Sequence, residues 1–491
     1  MPRMNAVSII GLPREELLRR FLSKELRNDG AFVVGVLTTG IYCLPSCVAR
    51  QPKPENVRFF ADEDAARATG LRACKRCKPD RFYQRFDPDG ELVVDLAQEA
   101  RRNPIRFIDV GAMISAAGVG KAKLTELFRR YFHTSPADHL MAARIAHAAE
   151  HLSRGGAKVI DAGLAAGFES SSPFHQHFRR SMGLSPGAYK EFCIGTDDGF
   201  SLTLPENFRY QDLFVMFGRD ASGVCERVEG ARGIKALLLH DRPVRLEFSF
   251  RSKSVDIRLK GPRRITRHTR LEAHSSARRM LNFASDPGAF EKRIARMAGM
   301  GRLVRGRRGL RIPQTSDFFE GLTWVIVGQQ VNLSFASSCR SALIQLAGRD
   351  AGDGFRAHPD PQAVSELMVE DLKALKFSGR KAEYLIDAAR KIVSGELDSD
   401  VLVLLPADQL DERLLAIRGL GPWSTQYLAM RSFGFEDCVP VGDAGLVAAL
   451  QRFFNLEERP DVNETLRCME PFAPHRSLAT CHLWKTLAEQ K

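Results

Sequence analysis

Residues 414–434 read LLAIRGLGPWSTQYLAMRSFG. Apolar residues recur at helical spacing up to Arg418, and then Gly419-Leu420-Gly421 breaks the pattern. Pro422 follows, at the first position of a new helix, where its missing N–H removes no hydrogen bond. Two glycines permit positive φ and close backbone approach. The amides left free at the next helix N-terminus can hold a phosphate. The pattern is helix, tight hairpin, helix. Alone it is weak, since a plain turn between helices looks similar. Asp443 follows in VPVGDAGLVAAL, where it is either an ordinary helix N-cap or a carboxylate with chemical work to do. Trp423 and Tyr427 share a face of the helix after the hairpin, as core residues or as an aromatic wall.

Outward from this stretch, LTLPENF, RLEFSF and VDIRLK alternate like half-buried strands from about residue 199, and helical patterns dominate after about 285. FFEGLTWVIVGQQVNLSFAS, RKAEYL and PHRSLATCHLW complete the picture. Together with the hairpin and Asp443, residues 199–491 resemble the helix-hairpin-helix DNA glycosylases, in particular the AlkA type. The resemblance implies that Asp443 is catalytic and that Gly419 and Gly421 grip DNA. It places Trp423 and Tyr427 in the pocket for a flipped alkylated base, with His475 where the family has a third aromatic. Gln330, in GQQVN, stands where the family inserts a leucine wedge into the duplex. Relatives that cut the strand through a Schiff base carry lysine where Trp423 stands, so a monofunctional DNA-3-methyladenine glycosylase is expected. Cys468 and Cys481 do not supply the tight series of four cysteines that an iron–sulfur cluster requires.

Near the other end, TTGIYCLPSCVAR (38–50) and ACKRCKPD (73–80) carry two close pairs of thiols, Cys43 with Cys47 and Cys74 with Cys77. Four thiolates suit one tetrahedral zinc ion, and Pro45 and Pro79 fit turns. The bland alternative is four unrelated buried thiols. In a segment with so little core, metal binding could supply much of the folding free energy, on the order of 10–16 kcal/mol. A metal-held thiolate is also a nucleophile. With ENVRFF between the pairs, residues 28–82 resemble the N-terminal domain of Ada proteins. The resemblance implies that Cys43 irreversibly accepts methyl from a DNA methylphosphotriester, and that Thr38, Thr39 and Arg50 lie near the DNA backbone. Methylating one sulfur would remove a negative charge from the site and strengthen phosphate contacts. The Pro-Cys-His-Arg segment of Ada's second methyl acceptor is missing, so repair of guanine O6 is not expected.

Between these regions a segment recurs. Phe128-Arg129-Arg130 returns as Phe178-Arg179-Arg180, and Ser135-Pro136 as Ser185-Pro186. Each unit reads as a short helix, a glycine turn and an amphipathic helix. Residues 90–190 resemble AraC-type helix-turn-helix domains. Recognition helices should start near Gly120 and Ser171, with Lys121, Lys123 and Thr125, then Ser171, His175 and Gln176, facing base edges. Gly187 to Gly199 reads as a linker.

The 491 residues are 44% hydrophobic with a formal net charge of +13, and the pI is about 9.4. Such a balance favours a polyanionic partner. No apolar run reaches membrane-spanning length and no signal peptide is evident, so a cytoplasmic protein without a membrane partner is expected. The expected architecture is multidomain α+β. It comprises a small zinc-binding α/β domain (1–85), an all-α double helix-turn-helix domain (86–195), a β-rich α+β subdomain (199–284) and a helix-hairpin-helix glycosylase domain (285–491). The expected function is repair of alkylated DNA combined with transcriptional regulation. Its partners would be double-stranded DNA, both alkylated and promoter, and RNA polymerase; the chain is expected to be a monomer. The rival readings are a transcriptional regulator whose glycosylase domain is inactive, and a repair enzyme whose zinc is only structural.

Overall fold

The computed structural model describes residues 12–24, 28–47, 49–84 and 87–488. It forms two compact units that divide between Leu92 and Val93, within helix Pro88–Arg102. The expected boundary at residue 85 lies outside the described residues.

The first unit is a four-stranded sheet in the order Val57–Phe60, Val33–Val36, Ile41–Cys43, Arg72–Ala73. The first three strands are antiparallel and the last pairs in parallel. Strand periodicity explains its two small cores. Val34 packs with Leu17, Phe21, Phe32 and Val57, whereas its neighbour Val33 packs with Tyr42, Phe60 and Ala66 on the other face. Gly35, on the Val33 face, is required because a Cβ there would lie 2.5 Å from the Phe60 ring.

The second unit contains the helical repeat. Helices Val110–Ala117 and Lys121–Phe132 form the first pair, and Val159–Ala165 and Ser171–Met182 the second. Helix Pro136–Ser153 joins them, and helix Pro186–Ile194 ends the repeat. The repeated Ser-Pro pair has a structural cause. Ser135 and Ser185 each cap a helix by accepting an amide N–H, and the proline occupies the first turn. Leu124, Leu127 and Phe128 fill one core, and Phe174 and Phe178 the other. The expected linker at 187–199 is instead mostly helix. Tyr189 and Cys193 are buried at helical spacing behind the Ser185 cap, and the chain passes directly into strand Gly199–Thr203.

That strand opens a five-stranded antiparallel sheet in the order Gly199–Thr203, Ser254–Lys260, Arg242–Phe250, Arg232–Leu239, Glu226–Glu229. A buried ionic cluster ties this sheet to the helical body. Lys235 pairs with Glu226 and Glu320, each at 2.5 Å, and Arg340 pairs with the same two carboxylates at 2.7 and 2.8 Å. Every charge in it has an opposite partner, as burial demands.

Helix Arg267–Met280 welds the repeat to this sheet. Arg267 donates to the carbonyls of Ser153 and Cys193, Arg270 to Phe192, His274 to Met182 and Arg278 to Ser181. These carbonyls end three helices of the repeat, where unpaired acceptors and the negative end of the helix dipole attract cations. Among the described residues, no helix is long and apolar enough to cross a membrane.

Candidate metal centre, DNA-reading surface and base-excision site

In the first unit, Cys43 ends a strand and Cys47 sits in the following turn, its amide bonded to the Leu44 carbonyl. Cys74 follows the parallel strand, and its amide reaches the Tyr42 carbonyl at 2.9 Å. The sheet therefore sets the two cysteine-bearing loops side by side. All four sulfurs lie within 4.8 Å of one another. Cys43, Cys47 and Cys74 are buried, and Cys77 is half-buried.

The electrostatics call for a cation. The hydrogen bond to Cys77, then burial and the neighbouring sulfurs, push the Cys43 thiol far up. Burial raises Cys47 to about 11. Cys77 is lowered, to about 6, chiefly because Cys43 donates to it. Four soft donors at this spacing fit one zinc ion held by Cys43, Cys47, Cys74 and Cys77. Thr38 and Thr39 are exposed in the turn leading into the Cys43 strand, and Arg50 is exposed beyond Cys47.

On the first recognition helix, Lys121 is exposed, Lys123 pairs with Glu126 at 3.5 Å, and the Thr125 hydroxyl donates to the Lys121 carbonyl. On the second, Ser171 and Gln176 are exposed, whereas His175 is half-buried with its ring edge against Phe174.

The hairpin joins helices Ala407–Leu415 and Pro422–Arg431. Gly419 has φ 92°, and a Cβ there would lie 2.2 Å from the Tyr384 ring, so both backbone and space demand glycine. Gly421 is the N-cap without a side-chain cap, and a Cβ there would meet nothing within 4 Å. The helix start therefore carries no side-chain cap and has open space beside the Gly421 Cα, which leaves room for an anion to approach.

Asp443 N-caps helix Ala444–Phe454. Its Oδ1 accepts from the Leu446 amide at 2.6 Å and from Trp484 Nε1 at 2.8 Å, and its Oδ2 accepts from Trp423 Nε1 at 3.2 Å. The cap is real, yet it uses one oxygen and leaves the half-buried carboxylate clamped between two indoles. Tyr427 stands between these rings, 5.7 Å from Trp423 and 6.2 Å from Trp484. The buried Arg431 guanidinium lies over Tyr427 and Trp484 at 5.8 and 5.5 Å.

His475 does not join this group. Its ring packs on Phe290 at 6.1 Å, and its Nδ1 meets Glu436 at 3.2 Å. Trp484, in the same motif PHRSLATCHLW, supplies the third aromatic instead. The two are separated by more than two helical turns, so only one can point at Asp443. Sequence reading also passed over Gln329, whose Nε2 donates to the Gly419 carbonyl at 2.7 Å. Gln330, next to it, is exposed at φ 54°, on a loop thereby tied to the hairpin.

Comparison with known proteins agrees with this layout. Family models match as the metal binding domain of Ada over residues 16–80, a helix-turn-helix domain over 113–191, and the HhH-GPD superfamily of base excision DNA repair proteins over 323–474. A Mycobacterium tuberculosis protein, named a probable bifunctional transcriptional activator/DNA repair enzyme AlkA, is 29% identical over 96% of both chains. The Escherichia coli bifunctional transcriptional activator/DNA repair enzyme Ada is 32% identical over 45% of this chain and 57% of its own. Among solved structures, the 3-methyladenine DNA-glycosylase of Archaeoglobus fulgidus matches with a TM-score of 0.52 at 17% identity. It covers 58% of this chain and 97% of its own, which is a likeness of fold. In chain order, the protein therefore joins three known families: the metal-binding domain of Ada, a helix-turn-helix domain, and the helix-hairpin-helix superfamily of base excision DNA repair proteins.

Proposed function

We propose that the chain repairs alkylated DNA by two chemistries and regulates transcription through its helix-turn-helix domain. The domain set fits repair and regulation. The observation that carries the reading is Asp443, held by Trp423 and Trp484 in a cluster of aromatic rings with Tyr427, in the same helical body as a hairpin whose second helix starts without a side-chain cap.

At that site the duplex backbone rests on the amides after Gly421, and Gln330 fills the gap left by the flipped nucleotide. Trp423, Tyr427 and Trp484 grip the cationic alkylated purine by stacking and cation–π attraction, worth about 0.5–2 kcal/mol each. The base leaves with the electron pair of the glycosidic bond. Asp443 stabilises the developing sugar cation and orients the water that adds to it. Trp423 occupies the position where a Schiff-base lysine would act, which favours a monofunctional hydrolase.

At the first site, Cys43, Cys47, Cys74 and Cys77 would hold a zinc ion, which would keep the Cys43 sulfur as a thiolate at neutral pH. The sulfur attacks the methyl carbon of a methylphosphotriester, the C–O bond breaks, and the phosphodiester departs as an anion. Cys43 ends as a thioether, so each molecule acts once. Thr38, Thr39 and Arg50 hold the neighbouring phosphates. The test is release of 3-methyladenine from alkylated duplex DNA by the wild type and by Asp443→Asn, with the mass of the Cys43 peptide read from the same sample. Release that survives D443N, or an unmodified Cys43 despite triester loss, would contradict the reading.

A further inference from the structure

The two recognition helices end alike. His133 closes the first at φ 52° and Gly183 the second at φ 70°. Both ends dock onto the glycosylase region. The Gly183 carbonyl accepts from the Thr203 amide at 2.8 Å, and a Cβ at Gly183 would lie 3.1 Å from the Leu202 side chain. His133 reaches further. Its Nδ1 accepts from the Asp437 amide at 3.1 Å, and its ring stands edge-on to Phe435 at 5.1 Å.

Residues 435–443 lead directly to Asp443 and are held from three sides. From the last helix, Arg476 pairs with Asp437 at 2.7 Å and the Ser477 hydroxyl donates to the Phe435 carbonyl at 2.8 Å. From the hairpin helix, Gln426 accepts from the Val439 amide at 3.2 Å. The third side is His133, from a domain whose other task is reading DNA. Burial holds its imidazole near a pKa of about 4, so Nδ1 stays free to accept. Without the ring, the Asp437 amide loses its partner and Phe435 loses one edge-on ring contact.

We propose that the first helix-turn-helix unit is a working part of the excision centre, with His133 as a positioning residue that keeps segment 435–443, and so Asp443, in place. This rests on the reading of Asp443 as the excision carboxylate. The recognition helix then does two jobs: its start reads DNA and its end braces the catalytic loop.

The test is single-turnover release of 3-methyladenine by the full chain across protein concentrations. Glycine suits φ 52° better than any other residue. H133G therefore removes the ring without straining the backbone. It should slow the saturating rate about five- to tenfold, the effect of one hydrogen bond, with half-saturation unchanged. H133N tolerates the same backbone and offers Oδ1 in place of Nδ1, so it should restore most of the rate. If H133G does not fold, Phe435→Leu, which keeps apolar bulk, should show the same loss at saturation. A normal saturating rate in a folded H133G or F435L, or a loss that H133N does not relieve, would overturn the proposal. An inactive wild type would overturn the excision reading itself, and this inference with it.

Discussion

The two proposed chemical centres are built in opposite ways. The cysteine cluster hangs on a sheet of four short strands with two small cores, and its cysteines come from the end of one strand and from the loops beside it. The excision site rests on an apolar core that runs from Phe290 to Leu483, and its carboxylate is placed by a helix cap and two indole N–H groups. In the first, metal, fold and reactivity are one property. In the second, the core sets the geometry and the side chains tune it. Substitutions should therefore act all-or-none at the cysteines and gradually around Asp443.

The largest effect expected is from metal removal. Chelation or Cys74→Ser should cost the first unit folding free energy on the order of 10–16 kcal/mol. Hydrogen exchange would then show residues 28–84 unprotected and the second unit unchanged; a second unit that opened too would break the comparison. Asp443→Asn should lower base release about a hundred- to a thousandfold without altering thermal stability. Gly419→Ala should cost about 1–3 kcal/mol from its φ alone, with more from the Tyr384 ring, measured as a fall in melting temperature together with weaker DNA binding. Trp484→Phe keeps an aromatic ring but removes the N–H to Asp443. It should lower kcat about tenfold with little change in KM.

A separate effect is acid sensitivity of the second unit. Burial depresses His133, His139 and His482 to about 4. The unfolded chain therefore takes up protons first, and stability should fall as pH drops from about 6.5 towards 4. A melting temperature flat across that range would show that these rings are not held neutral.

Much of this was legible because the chemistry is local. The cysteine pairs, the repeated Ser-Pro caps and the glycine hairpin each need particular residues at particular spacings. Asp443 was visible as a candidate for the same reason, since a cap and a carboxylate share one side chain. What escaped was long-range or directed at backbone. Trp484 reaches Asp443 only after the last helix packs against the helix it caps, so nothing local distinguished it from His475. Gln329, Arg267, Arg270, His274 and Arg278 bind carbonyls, which any sequence provides. Helix Pro186–Ile194 escaped because Gly187 inside it and the glycines after it suggest a linker, although the Ser185 cap before it marks a helix start.

The most direct test counts bases. Zinc-loaded full-length protein is given excess alkylated duplex DNA, and free 3-methyladenine is measured per protein molecule. Many bases per wild-type molecule and only background release from D443N are expected. Equal release from the two proteins would contradict the account.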